Sequence, residues 1–164
     1  MRALVVTLKS LFMAACAVLI FGVITWQLRR LDAFIPVIMP PWVAVGGIIL
    51  MIAGGILAFA CFGLFSANGA LSWHARFPFP DPEVFISWGA YKYVRNPMAE
   101  GGLTVLCGWG FYKLTPSTLL FAVLMAILMH LFVVYVEEPK LERRFGESYR
   151  EYKHRVNRWI PKWR

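Results

Sequence analysis

Charge is scarce in this chain. Only 16% of its 164 residues are Asp, Glu, Lys or Arg, against 59% hydrophobic residues and a mean hydropathy of +0.60. So little charge excludes an ordinary soluble domain and makes this a membrane protein. Cysteine is equally sparse. Cys16, Cys61 and Cys107 fall inside apolar runs with no metal-like spacing, so neither a disulfide framework nor a zinc site is implied. His74, His130 and His154 add no metal spacing either. No internal repeat, low-complexity tract or separable soluble domain is visible, and residues 1–164 read as a single integral membrane domain.

What fills the chain instead is long apolar sequence. Residues 11–28 and 41–65 carry no charge, and residues 115–136 are interrupted only by His130. Each run is long enough to cross a hydrocarbon core of about 30 Å as a helix. Residues 97–112 are apolar apart from Glu100, yet at ~1.5 Å per residue they reach only about 24 Å. The fold expected is all-α: a polytopic bundle of about four transmembrane helices with a C-terminal amphipathic cytosolic helix. Arg2 and Lys9 precede an apolar run that continues past Cys16 to Leu28 without a small-residue cleavage site, so this run reads as a retained first helix.

A net charge of +8 would suggest nucleic acid in a soluble protein, but here its distribution points to topology. With four spans, one side carries Arg2, Lys9, Arg76, Lys92, Arg95 and the basic residues from Lys140 to Arg164; the other keeps Arg29, Arg30 and Lys113. The positive-inside rule then puts both termini in the cytoplasm, with the cell inner membrane as the expected location. The basic tail also favours anionic headgroups, so membrane lipids are expected partners and nucleic acid is not.

Residues 1–88 supply two helices and a loop. Gly46, Gly47, Gly54, Gly55 and Ala58 on the second helix are small enough to let another helix approach closely. The loop over residues 66–88 holds Pro78, Pro80 and Pro82, which oppose regular helix. Helix resumes after Asn96, a favoured N-cap, with Pro97 at the first helical position. Beyond the last span, Glu138, Leu141, Phe145, Tyr149, Tyr152 and Val156 recur at intervals of three and four, which predicts an aromatic stripe on one helical face. Trp159 and Trp163, among Arg158, Lys162 and Arg164, look like interfacial anchors.

Two polar, aromatic-rich segments, residues 89–102 and 137–161, bracket the membrane hairpin formed by residues 97–136, so their charges meet at one face. Arg95, Asn96, Glu100, Glu137, Glu138 and Arg155 converge there among Tyr91, Tyr93, Tyr149 and Tyr152, a polar pocket open to a charged small molecule. Each charge taken singly also reads as a boundary marker, and the tyrosines also read as packing. For Arg155 an ordinary helical ion pair with Glu151 explains the residue equally well. His130 lies within the fourth span, where a neighbouring carbonyl would satisfy a neutral ring, and it stays outside the catalytic set.

The two segments, covering residues 89–161, resemble the isoprenylcysteine carboxyl methyltransferase and phospholipid methyltransferase family of integral membrane enzymes. The resemblance rests on Tyr91, Arg95-Asn96-Pro97 and Gly101, followed by Glu137-Glu138, Leu141, Phe145-Gly146, Tyr149 and Tyr152. It implies an S-adenosylmethionine site built by Tyr91, Arg95, Asn96, Pro97, Gly101, Glu137, Glu138 and Leu141. Glu137 or Glu138 would hold the cofactor's amino group or ribose hydroxyls, and Arg95 its carboxylate. Tyr149, Tyr152 and Arg155 would face the acceptor, and Arg155 together with Arg95 forms the implied catalytic set. No metal is required. Two departures stand out. Asn96 occupies a position where many members have His, and Ala99 one where an aromatic residue often stands.

The function implied is S-adenosylmethionine-dependent methyl transfer to a lipophilic acceptor at the cytosolic face: the carboxylate of a prenylated thiol, a phospholipid amine or similar. Positioning donor and acceptor in line supplies most of the rate enhancement such a displacement needs, about 7 to 11 kcal/mol in favourable cases. Two rivals remain at this level. One is a non-catalytic scaffold that keeps the fold, motivated by Asn96 and Ala99. The other is a membrane reductase, although the chain lacks a Rossmann-type Gly-rich dinucleotide loop.

Overall fold

The computed structural model describes residue 15 and residues 19–35, 37–67 and 85–162. Arg2, Lys9, Cys16, His74, Arg76, Trp163 and the three loop prolines therefore lie outside the described residues, as do the start of the first predicted span and most of the 66–88 loop. Every regular element among the described residues is a helix or helical turn, and none is a β-strand. Helix α1 covers residues 19–28 and runs into a tight 3-10 turn at Arg29–Phe34. The helices that follow are α2 (Val43–Ala67), α3 (Pro97–Tyr112), α4 (Pro116–Phe132), α5 (Glu138–Phe145) and α6 (Glu147–Arg155).

Two of these stretches, Val43–Phe65 and Pro116–Phe145, are long and apolar enough to cross a membrane. Their outward faces carry the expected lipid-compatible residues, including Ile49, Ile52, Ile56 and Phe59 on α2 and Leu120, Val123, Ile127 and Leu128 on α4. Helix α3 is too short to span alone. It lies antiparallel against α2, and glycine is the reason it can lie so close. A Cβ on Gly54 would stand 2.6 Å from the Gly101 carbonyl oxygen, and one on Gly101 would stand 2.8 Å from that of Gly54. One further contact repeats the pattern seven residues along each helix: a Cβ on Gly47 or on Gly108 would each stand 2.7 Å from the other residue's carbonyl oxygen. Backbone meets backbone at both crossings, the arrangement expected where helices associate in lipid by close packing. Of the small residues singled out from sequence, Gly47, Gly54 and Ala58 form this seam, whereas Gly46 and Gly55 face open space.

The far end of the hairpin is fixed by polar capping. Leu114 takes a left-handed conformation (φ 53°) in the turn between α3 and α4, and the Thr115 N–H returns to the Gly110 carbonyl at 2.9 Å. Asp32, from the turn after α1, accepts a 2.8 Å hydrogen bond from the Ser117 N–H at the start of α4. A carboxylate thus satisfies an orphan donor at a helix N-terminus across a long sequence separation. Phe21 and Phe121 pack with ring centroids 6.1 Å apart, which ties α1 to α4 on the same side of the molecule.

Two details differ from the sequence expectation. The last span does not stop at Val136. It continues through a single π-turn at Val133–Glu137 directly into α5. Pro139 accounts for the widening: it has no N–H for the Tyr135 carbonyl, and its ring crowds that oxygen in an ordinary α-turn. The helix predicted after the span is also broken, at Gly146 (φ 57°, ψ −128°), into α5 and α6. The aromatic stripe survives the break. Tyr149, Tyr152 and Val156 form a buried cluster with Phe85, Leu141 and Phe145, and Phe85 makes edge contacts to both tyrosines.

Candidate functional site

The polar site forms where the start of α3, the α4–α5 junction and the end of α6 meet. Asn96 precedes α3 and Pro97 opens it, as the Asn-Pro pair predicts. The Asn96 side chain, however, makes no capping bond. Its Nδ2 is buried without a hydrogen-bond partner among the described residues. Arg95 is 9% exposed at its side chain, and its Nη1 lies 3.1 Å from Glu138 Oε1. Neither that Nη1 nor the Nε is aligned to donate a hydrogen bond. Buried donors left open in this way are costly unless a ligand or water fills them.

The two adjacent glutamates differ sharply. Glu138 is 4% exposed and its carboxylate is saturated with cations. Arg158 grips it in a fork, Nε to Oε1 at 2.7 Å and Nη2 to Oε2 at 3.0 Å, Arg95 joins at 3.1 Å and Lys153 stands 3.9 Å away. The fork in turn holds the Arg158 guanidinium above its ordinary pKa. Glu137, one residue earlier, accepts no hydrogen bond and enters no ion pair among the described residues. Saturation gives Glu138 the character of a structural hub, and Glu137 keeps free acceptor capacity.

Three tyrosines wall the site. Tyr91, in the 3-10 turn Gly89–Lys92, offers its backbone carbonyl to the Tyr152 hydroxyl, which donates at 2.6 Å. Tyr149 and Tyr152 are 2% and 3% exposed, and burial pushes the phenol pKa of Tyr91, Tyr149 and Tyr152 upward, so all three stay neutral. Leu141 packs against Tyr149 and Tyr152.

Other residues expected here have different surroundings. Gly101 serves the α2–α3 seam. Pro97 is fully buried at the first position of α3. Arg155 is exposed at the end of α6, and no ion pair joins it to Glu151 among the described residues. Glu100 lies in the first turn of α3, with one buried carboxylate oxygen unpartnered. Arg158, at the centre of the cluster, had no site role in the sequence reading: its pairing with Glu138 spans twenty residues and leaves no local periodicity. No group of His, Cys, Asp and Glu able to hold a metal occurs among the described residues.

Comparison with known proteins places these features in a family context. The family model for phospholipid methyltransferases matches residues 42–148. Methanethiol S-methyltransferase 1 of Bradyrhizobium diazoefficiens is 33% identical over 146 residues, which is 85% of this chain and 49% of that protein. The chain thus spans about half the length of this curated relative. An uncharacterized protein of Haemophilus influenzae is 31% identical over 58 residues, 35% of this chain and 92% of its own length. Among solved structures, the eukaryotic intramembrane Ras methyltransferase ICMT (isoprenylcysteine carboxyl methyltransferase) superposes with a TM-score of 0.65 at 20% identity, covering 87% of this chain and 51% of that one. At that identity the likeness speaks for the fold.

Proposed function

From the chain's membership of the isoprenylcysteine and phospholipid methyltransferase family of membrane proteins, we propose that it transfers a methyl group from S-adenosylmethionine to a lipophilic acceptor at the cytosolic membrane face. The observation that carries this reading is the set of buried donors on Arg95 and Asn96 that have no hydrogen-bond partner among the described residues; Glu137, which accepts no hydrogen bond among those residues, completes the set. S-adenosylmethionine is a zwitterion with a heterocycle, and this set fits it. Arg95 would pair with the carboxylate, Glu137 with the ammonium or a ribose hydroxyl, and Asn96 Nδ2 with an acceptor on the adenine edge. The cofactor, when bound, supplies an activated methyl group on a sulfonium.

The rest of the chemistry is positioning. Glu138, clamped by Arg158, fixes Arg95; Tyr91, Tyr149, Tyr152 and Leu141 would give the site an apolar wall, and Arg155, exposed at the end of α6, would orient an anionic acceptor group. The rigidity of such a frame is what lets positioning replace covalent help. A scaffold with a degraded site has no need to keep buried donors open, which disfavours the non-catalytic alternative.

The architecture proposed is a single membrane domain of about four membrane helices, α1 to α4, with α5 and α6 forming the cytosolic cap and both termini in the cytoplasm of a cell inner membrane. A charged donor would then enter from water while an apolar acceptor arrives through the bilayer. The name of the Bradyrhizobium relative favours a thiol acceptor. In that case the methyl group would pass to the acceptor sulfur as its bond to the sulfonium breaks, the thiol proton would go to water, and the products would be a thioether and S-adenosylhomocysteine.

The test is methyl transfer from labelled S-adenosylmethionine by the protein in lipid nanodiscs, offered small alkanethiols, a prenylcysteine and phosphatidylethanolamine in turn. Label should appear in the thioether product of an alkanethiol. Label in phosphatidylethanolamine or the prenylcysteine instead would refute the thiol assignment, and no transfer to any of them would refute the enzymatic reading.

A further inference from the structure

The segment after α6 turns back as an extended strap, and its successive residues each hold a different part of the site. Val156 leaves α6 in extended conformation. Asn157 pairs in parallel with Val94, and its carbonyl accepts the Arg95 N–H at 2.9 Å. Arg158 forks onto Glu138. Trp159 then donates its indole N–H to Nδ1 of His130 at 2.9 Å, with the two rings 6.2 Å apart. An indole N–H can only donate, so His130 must present a bare Nδ1 and carry its ring proton on Nε2. His130 stands two turns before Glu138 on the same continuous helix, about 12 Å along its axis. The strap therefore spans from the Arg-Asn-Pro turn across the carboxylate hub to a polar anchor deeper on α4.

We infer that His130 is a positioning residue that acts through Trp159: anchoring the indole sets the strap, and the strap sets the Arg158–Glu138–Arg95 cluster for the cofactor. The inference rests on the proposed cofactor site. Three contacts from three consecutive residues to three different elements make the strap a single mechanical unit. Its two flanking contacts are fixed by backbone pairing and by a two-bond fork. The third depends wholly on one acceptor atom, because Trp159 has no other polar group. Removing that acceptor leaves the indole N–H without a partner beside an apolar helix, so the strap's end comes loose where it meets Arg158.

The experiment is calorimetric titration of S-adenosylhomocysteine into the full chain in nanodiscs for wild type, His130→Ala, His130→Gln, Trp159→Phe and the double variant His130→Ala/Trp159→Phe. Amide hydrogen exchange of the peptide containing Arg95 is measured on the same samples. Affinity should fall about 3- to 20-fold in His130→Ala and in Trp159→Phe, the range of one hydrogen bond at membrane depth. The double variant should be no worse than either single one, and His130→Gln, whose amide oxygen can accept, should recover most of the loss. Exchange at Arg95 should rise in the same order. Wild-type affinity in both single variants, full additivity in the double variant, or a lowered melting temperature at unchanged affinity would each overturn the inference. If His130→Ala fails to fold, Trp159→Phe alone decides. Failure of wild type to bind would sink the cofactor reading, and exchange at the Arg95 amide would still show whether the His130 anchor holds the strap.

Discussion

The α2–α3 seam and the charge cluster around Glu138 hold neighbouring helices at different levels by opposite means. In the seam, Gly47, Gly54, Gly101 and Gly108 bring two backbones together with no side chain between them. In the cluster, one carboxylate, Glu138, collects Arg95, Arg158 and Lys153 from three separate segments. The seam excludes even a methyl group, and its tolerance is geometric. The cluster tolerates shape and depends on charge balance. The proposed enzyme would need both: a rigid hairpin inside the bilayer, and a polar frame at its edge for a charged ligand to enter.

Substitutions that touch only one of the two regions test this division. The largest effect is expected from Glu138→Gln. Removing the one carboxylate leaves Arg95 and Arg158 facing each other with no counter-charge, a loss of about 3 kcal/mol or more for a buried pair broken on one side. The melting temperature in detergent and cofactor affinity should both fall. A stable Glu138→Gln variant would show that the arginines have other partners. Next comes Gly54→Ala. Its Cβ meets the Gly101 carbonyl, so α3 must shift, at about 1 to 3 kcal/mol, and Gly54→Val should cost more. Thermal unfolding should place both well below wild type.

Asp32→Ala is smaller. It strips the acceptor from the Ser117 N–H at the start of α4 and should cost about 1 kcal/mol, with S-adenosylhomocysteine binding unchanged because the cap lies at the opposite end of the hairpin. The smallest effect has the opposite sign. Gly55→Ala places a methyl group in open space and should stabilise α2 by about 0.5 to 1 kcal/mol. A destabilised Gly55→Ala would mean that this face is packed against something, such as another copy of the chain.

How much of this was legible in the sequence follows from the range of each interaction. Long apolar runs and the Asn96-Pro97 start of α3 are local signals, and the helices form where those signals place them. Small residues on α2 announced a close contact. Which of them face α3 was not legible, because Gly46 and Gly47, like Gly54 and Gly55, are adjacent and only the partner chooses between them. Glu137 and Glu138 posed the same problem in polar form. They read as an equivalent pair, and the π-turn at Pro139 rotates one into the cation cluster and leaves the other outside it. Arg158 and Trp159 read as interfacial decoration because their partners, Glu138 and His130, are distant in sequence. The strap that carries them has no periodicity to betray it.

In the proposed site Glu137 is the ligand-facing carboxylate and Glu138 the structural one. Titrating S-adenosylhomocysteine into wild type and Glu137→Gln, with melting temperatures measured on both, addresses that point directly. Saturable one-site binding in wild type, lost or at least tenfold weaker in Glu137→Gln at an unchanged melting temperature, is the expected result; no binding to well-folded wild type, or full-strength binding to Glu137→Gln, would contradict it.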